Sequence, residues 1–160
     1  MSIEKVRVYL KTKGYDHKIQ EFDVSSATVE LAAAALHTEG KRIAKTLSFD
    51  VKGTPVLVVC AGDAKISNSK FKQQFETKAK MFAFEEVEEK IGHAVGGVCP
   101  FAVNSNVEVY LDESLKRFES VYPACGSSNS AINLTIKELE DLSNFLKWVD
   151  VTTIPEETND

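Results

Sequence analysis

Two features of this 160-residue chain have residue types suited to chemistry: a lysine set in an apolar run, Lys45, and the turn Gly96-Gly97-Val98-Cys99-Pro100. If residues 42–51 form a strand, Ile43, Lys45, Leu47 and Phe49 share one face and Ala44, Thr46 and Ser48 the other, because side chains alternate along extended backbone. The more apolar face is then interrupted by an ammonium group. Desolvating that group alone is expensive, so it either sits at a pocket mouth holding a phosphate or carbonyl, or reaches past its neighbours to water. In the turn, adjacent glycines reach backbone conformations closed to other residues, and Pro100 stiffens the exit. Such a turn can aim several N–H groups at one point, as an oxyanion or phosphate requires; its other reading is a plain bend between strands.

Other groups are weaker candidates. Cys99 with His93 as base suggests a thiol nucleophile, against the commoner buried, inert cysteine. The loop Gly126-Ser127-Ser128-Asn129-Ser130 is small and hydroxyl-rich; it could line a pocket for a small amino acid or a ribose, or simply turn the chain. Glu85, Glu86, Glu88 and Glu89 read as a solvated helix face. Cys60, Cys99 and Cys125 are an odd, dispersed set without a C-x-x-C pair, and His17, His37 and His93 are equally scattered. Neither a disulfide framework nor a metal site is expected, and no cofactor.

The elements that must position these residues can be read from periodicity and punctuation. A helix over 2–13 is expected, with Ser2 as cap, Ile3, Val6 and Leu10 along one stripe, and Gly14 just past its end. A strand over 17–22 and an alanine-rich helix over 28–36 follow. Strands over 42–51 and 55–61 flank Lys52-Gly53-Thr54, a hairpin signal, and the unbroken run 56–60 suits a strand covered on both faces. Helices are expected over 69–76 and 84–91, the second ended by Gly92. Strands are expected over 107–111, 120–122 and 131–134, with one or two helical turns over 113–118. Thr135-Ile136-Lys137-Glu138 opens a last helix as a capping box. The pattern has no repeat and no regular βαβ alternation. It describes one mixed α/β domain over 1–150, with a polar, acidic tail over 151–160.

Composition narrows the class. Apolar residues make up 43% and charged residues 27%, ordinary values for a globular protein, and no run is long enough to span a bilayer. The N-terminus lacks a secretory pattern, so a cytoplasmic location is expected. The net charge is −5, but residues 1–80 carry 14 Lys/Arg against 9 Asp/Glu and residues 81–160 carry 5 against 15. A basic half permits an RNA partner while the acidic half limits non-specific binding.

Taken in order, Lys45-Thr46-Leu47, then 94–101 (Ala-Val-Gly-Gly-Val-Cys-Pro-Phe), then 110–115 (Tyr-Leu-Asp-Glu-Ser-Leu) and 123–127 (Pro-Ala-Cys-Gly-Ser), the chain resembles the YbaK/EbsC family of free-standing relatives of the prolyl-tRNA synthetase editing domain. The resemblance runs from the first helix to about residue 149. It implies a mixed, largely antiparallel central sheet flanked by helices. It also implies deacylation of mischarged tRNA, most often tRNA(Pro), with prolyl-tRNA synthetase as a possible delivery partner and with neither a protein nucleophile nor a metal. On that resemblance Lys45 and Gly96 are the catalytic positions. Thr46, Gly97, Val98, Cys99, Pro100, Gly126 and Ser127 are the expected substrate-binding positions. Lys45-Thr46 is similar to the branch acting on Cys-tRNA(Pro). The chain departs from many relatives after Pro100, where Phe101-Ala102-Val103 replaces a closely following glycine. Two readings of other classes stand beside this one: a non-catalytic RNA-binding or synthetase-associated module, and an ester or thioester hydrolase using Cys99.

Overall fold

A tight hairpin organises the fold. Strands β2 (Ile43–Val51) and β3 (Thr54–Ala61) pair antiparallel along their whole length, from Ala44 opposite Ala61 to Val51 opposite Thr54. Lys52 and Gly53 both have positive φ, 53° and 89°. That is the two-residue turn whose twist matches the strands it joins. The structure is a computed structural model and describes residues 2–155, with the side chain of Ser2 excepted; the cap expected from Ser2 and the end of the acidic tail, 156–160, lie outside the described residues.

Around the hairpin lie β5 (Glu108–Asp112), β6 (Ser120–Pro123), β8 (Leu134–Thr135) and β9 (Lys147–Val149), in the sheet order β8-β6-β2-β3-β5-β9. The sheet is mixed: β2/β3 and β6/β8 run antiparallel, while β2/β6, β3/β5 and β5/β9 run parallel. The long hairpin supplies most of the antiparallel pairing, and the other neighbours of β2, β3 and β5 run parallel to them. Two short antiparallel pairs complete the strands: β1 (Gln20–Glu21) with β7 (Ser130–Ala131), and β4 (Lys65–Ile66) with β10 (Thr152–Thr153).

The apolar run of β3 is central and covered on both faces. Leu57 and Val59 belong to a core closed by α1 (Ser2–Thr12), α4 (Phe84–Ile91) and α5 (Ile136–Ser143) through Val6, Leu10, Ile91, Leu139 and Leu142. Val56 and Val58 face a smaller cluster with Phe49, Phe71 of α3 (Asn68–Phe75) and Val149. Helix ends follow the punctuation of the sequence. Thr28 caps α2 (Val29–Leu36), Thr135 and Glu138 form the capping box of α5, and Gly92 ends α4 at φ +106°.

Three expected segments differ. Residues 17–22 give a 3-10 turn, Asp16–Lys18, and only then the two-residue β1. Residues 131–134 divide between β7 and β8, which serve different sheets; between them Ile132 donates its amide to Pro123 O at 3.0 Å. The fold also continues past residue 150: Val151 is fully buried and Thr152 pairs with Ile66. Asp112, fully buried, secures this end by accepting from Val151 N (2.9 Å), the Thr152 hydroxyl (2.7 Å) and Ser114 N (2.9 Å). A buried carboxylate with three such donors is satisfied without a cationic partner.

Candidate active site

The site arises where the sheet is left unpaired. On the side of β2 away from β3, β6 covers only Ile43 and Ala44. Farther along, Met81 bridges Phe49, and Asp50 donates its amide to Lys80 O at 2.8 Å. Between these contacts the edge from Lys45 to Ser48 has no strand beside it among the described residues, and it forms one wall of a cavity of about 420 Å³. The other walls come from the start of α2 (Ala27, Thr28, Val29), from α4 (Phe84, Val87), from Gly96 and Val98 of the glycine turn, and from Tyr122 and Ala124 at the end of β6.

Lys45 is the only charged residue bordering this cavity among the described residues. It is half-buried, and its ammonium donates to Ala64 O at 2.5 Å and Gly62 O at 3.3 Å. Neither acceptor is charged, and one of the three donors of the ammonium makes no hydrogen bond with the described residues. The turn that supplies both carbonyls is held tightly. A Cβ on Gly62 would stand 2.1 Å from Gly40 O and 2.9 Å from Val29 Cγ1. No side chain fits that approach. Next to it Asp63 receives a two-pronged ion pair from Arg117, at 2.6 and 3.1 Å.

The glycine turn presents two faces. Gly96, at φ +97°, borders the cavity, and a Cβ there would lie 3.4 Å from the Cβ atoms of Ala27 and Ser128. Gly97 turns away: its amide donates to Ala94 O at 3.0 Å, and a Cβ there would lie 2.6 Å from Gly126 C and Ser127 N. The Gly97 amide is thus spent inside the turn rather than aimed at a ligand. The amides of Gly96 and Val98 make no hydrogen bond with the described residues.

Behind this turn the loop is buried. Cys99 and His93 are fully buried, with Cys99 Sγ 3.6 Å from His93 Nε2. The same Nε2 is 2.6 Å from Phe101 O. A carbonyl only accepts, so Nε2 carries the proton, and no lone pair is directed at the thiol. Burial, the largest influence, holds His93 below its ordinary pKa, with Lys5 adding to the depression and the Phe101 bond opposing it. Burial also pushes the Cys99 thiol up to about 12. A neutral imidazole donating to a carbonyl, beside a protonated thiol closed to solvent, has none of the features of an activated nucleophile. Ala102, two residues beyond Pro100, takes φ +54°, so the loop leaves through a left-handed position filled without glycine.

Of the positions expected from sequence, Lys45, Thr46, Gly96 and Val98 border the cavity. Gly97, Gly126 and Ser127 pack against one another behind it, where Ser127 Oγ donates to Asn129 Oδ1 (2.9 Å) and lies 2.7 Å from Ser130 Oγ, whose hydroxyl can donate back. Cys99 and Pro100 face the core. Sequence reasoning did not find the start of α2, the rim around Met81 and Phe84, or Gly62. The signal that could have found Gly62 is the Ala61-Gly62-Asp63 turn immediately after a buried strand. Among the described residues no group of three His, Cys, Asp or Glu could hold a metal ion.

An α+β domain with a lysine and a glycine turn facing across a cavity at a bare sheet edge defines a class, and comparison with known proteins names it. The Aminoacyl-tRNA editing domain family matches residues 23–142, and the chain belongs to that family, in its YbaK-like group. It is 51% identical over 152 residues to the uncharacterized protein YwhH of Bacillus subtilis (strain 168), covering 94% of this chain and 97% of that one. It is 28% identical over 120 residues to a proline–tRNA ligase of Lysinibacillus sphaericus (strain C3-41), covering 72% of this chain but only 21% of the ligase, so the similarity concerns one part of that enzyme. Among solved structures, a candidate trans-editing enzyme for prolyl tRNA synthetase superposes with a TM-score of 0.85 at 30% identity, over 95% of this chain and 97% of that one. The hypothetical protein APE2540 superposes with a TM-score of 0.82 at 28% identity, over 93% of this chain and 99% of that one.

Proposed function

We propose that the protein is a free-standing deacylase that hydrolyses the ester of a small, wrong amino acid on tRNA(Pro), cysteine first among them. The single observation that carries this reading is the solitary charge of Lys45 in an apolar cavity that is also bordered by Gly96 and Val98, whose amides make no hydrogen bond with the described residues. Such a site has little to offer except positioning and electrostatics. An aminoacyl ester needs little more, because its carbonyl is already activated. The ester carbonyl lies against the Gly96 and Val98 amides, and Lys45 stabilises negative charge as it develops. A water molecule, or a group of the substrate itself, adds to the carbonyl carbon. The bond to the ribose oxygen then breaks, and that oxygen takes the proton.

The relation to the synthetase supports a role beside it in the cytoplasm, with the synthetase a candidate to hand over the charged tRNA. Among the described residues no helix is long and apolar enough to cross a membrane. The reading is tested by incubating the protein with tRNA(Pro) charged separately with cysteine, alanine, serine and proline. Release of cysteine or another small amino acid, with Pro-tRNA(Pro) spared, is the expected result. Cleavage of none of them, with protein well above tRNA, would sink it. Tight binding of charged tRNA without cleavage would favour a non-catalytic module instead.

A further inference from the structure

The mouth of the cavity is unusually apolar for an exposed surface. Phe84 is 72% exposed, Met81 55% and Val95 46%, and all three border the cavity. Phe84 begins the stripe that α4 buries through Val87 and Ile91, at i, i+3 and i+7, but it overhangs the opening instead of the core. Its position is fixed. Glu86 accepts from Ala83 N at 3.3 Å, and Glu86 N donates to Ala83 O at 2.9 Å, closing the first turn of the helix beside the ring. An aromatic ring this exposed adds little to folding, since most of its area stays in water.

Charge around the rim is divided. Lys78 and Lys80, both exposed, lie on the segment leading to Met81, and Lys80 has only a 4.0 Å contact with Asp50. The outer face of α4 carries exposed Glu85, Glu88 and Glu89. A polyanion reaching the opening is drawn to the lysine side and repelled from the helix. An aromatic platform with cations along one flank is the arrangement that holds single-stranded nucleic acid, with a base stacked on the ring and phosphates beside the lysines.

We propose that Phe84, with Met81 beside it, stacks the unpaired terminal base of the tRNA 3′ end while Lys78 and Lys80 meet its phosphates. The proposal rests on the deacylase reading, because it is the ester at that end which must enter the cavity. The ring face is indifferent to base identity, so the platform supplies affinity and orientation and leaves the choice of amino acid to the cavity.

Two measurements test it. With charged tRNA, Phe84→Ala should raise KM by about 5- to 150-fold, the range for losing one base–aromatic stack, and leave kcat within about threefold; Phe84→Trp should keep the wild-type KM. With uncharged tRNA carrying 2-aminopurine as its terminal base, the wild type and Phe84→Trp should quench the fluorescence on binding, and Phe84→Ala should not. Unchanged KM and equal quenching in Phe84→Ala would overturn the platform and point to a protein partner on this rim. Quenching by a wild type that cleaves no charged tRNA would leave the platform standing and refute the deacylase instead.

Discussion

The front and back of the 93–101 loop, a few residues apart, give polar groups opposite fates. At the front, Lys45 stands half-buried in the cavity that Gly96 and Val98 also border, its ammonium held by two carbonyls. At the back, His93 and Cys99 are fully buried, one neutral and one protonated, with Phe101 O receiving the imidazole proton. The difference is one of solvation and not of residue type. In isolation the histidine and thiol are the more reactive pair, and burial silences them. The lysine is the blander residue, and an apolar cavity makes its charge count.

The largest effect that would sharpen this contrast is at the front. Lys45→Ala should lower deacylation about 100- to 1000-fold, the scale for losing one group that stabilises an oxyanion. Single-turnover release of amino acid from charged tRNA reads it. Its thermal midpoint should fall only modestly, because Gly62 O and the carbonyl of buried Ala64 each lose one donor, at about 1 kcal/mol apiece.

Next comes the partition between the two faces. Gly97→Ala places a methyl group 2.6 Å from the backbone at Gly126 and Ser127. The two loops must part, so activity should fall roughly 10- to 100-fold through misplacement of the Gly96 and Val98 amides, together with a loss of about 2 kcal/mol in denaturant unfolding. Full activity with unchanged stability would mean that the loop contact positions nothing.

The back face should respond in stability. Because burial depresses His93 below its ordinary 6.5, the unfolded chain binds the proton more readily than the folded one in the interval between the two values. Stability therefore rises with pH across that interval. The contribution of His93 is complete above about 6.5 and is lost as the pH falls through and below it. Melting curves from pH 7 to pH 5 should fall more steeply for the wild type than for His93→Leu, so the two converge on acidification; parallel curves would contradict the neutral, buried imidazole. The smallest effect is expected of Cys99→Ser, which should cost on the order of 1 kcal/mol of stability for placing a hydroxyl in an apolar site and change activity by less than about threefold.

How much of this was legible in the sequence follows from the range of the interactions. Lys52-Gly53, Thr28, Gly92 and the Thr135–Glu138 capping box act over four residues or fewer, and each marks its element correctly. The run 56–60 announced a strand covered on both faces, as β3 is. The short strands β4, β9 and β10 exist only because distant partners reach them, and no local pattern distinguishes Lys147–Val149 from a loop. The same distance rule governs the site. Lys45 and Gly96 stood out by type, but the bare edge of β2 that makes the cavity depends on where β6 stops and Met81 begins to pair. Cys99, Pro100, Gly126 and Ser127 shared the motif's sequence without bordering the cavity: Cys99 and Pro100 are buried, and Gly126 and Ser127 back the turn at Gly97.

The most direct test is a comparison of Lys45→Ala and Cys99→Ser in one single-turnover assay on Cys-tRNA(Pro), each variant checked for folding by its melting midpoint. Loss of cleavage in a well-folded Lys45→Ala, beside near wild-type cleavage in Cys99→Ser, is the result expected of a site that works by position and charge. Cleavage that survives in Lys45→Ala and vanishes in a well-folded Cys99→Ser would place the chemistry on the buried thiol and contradict it.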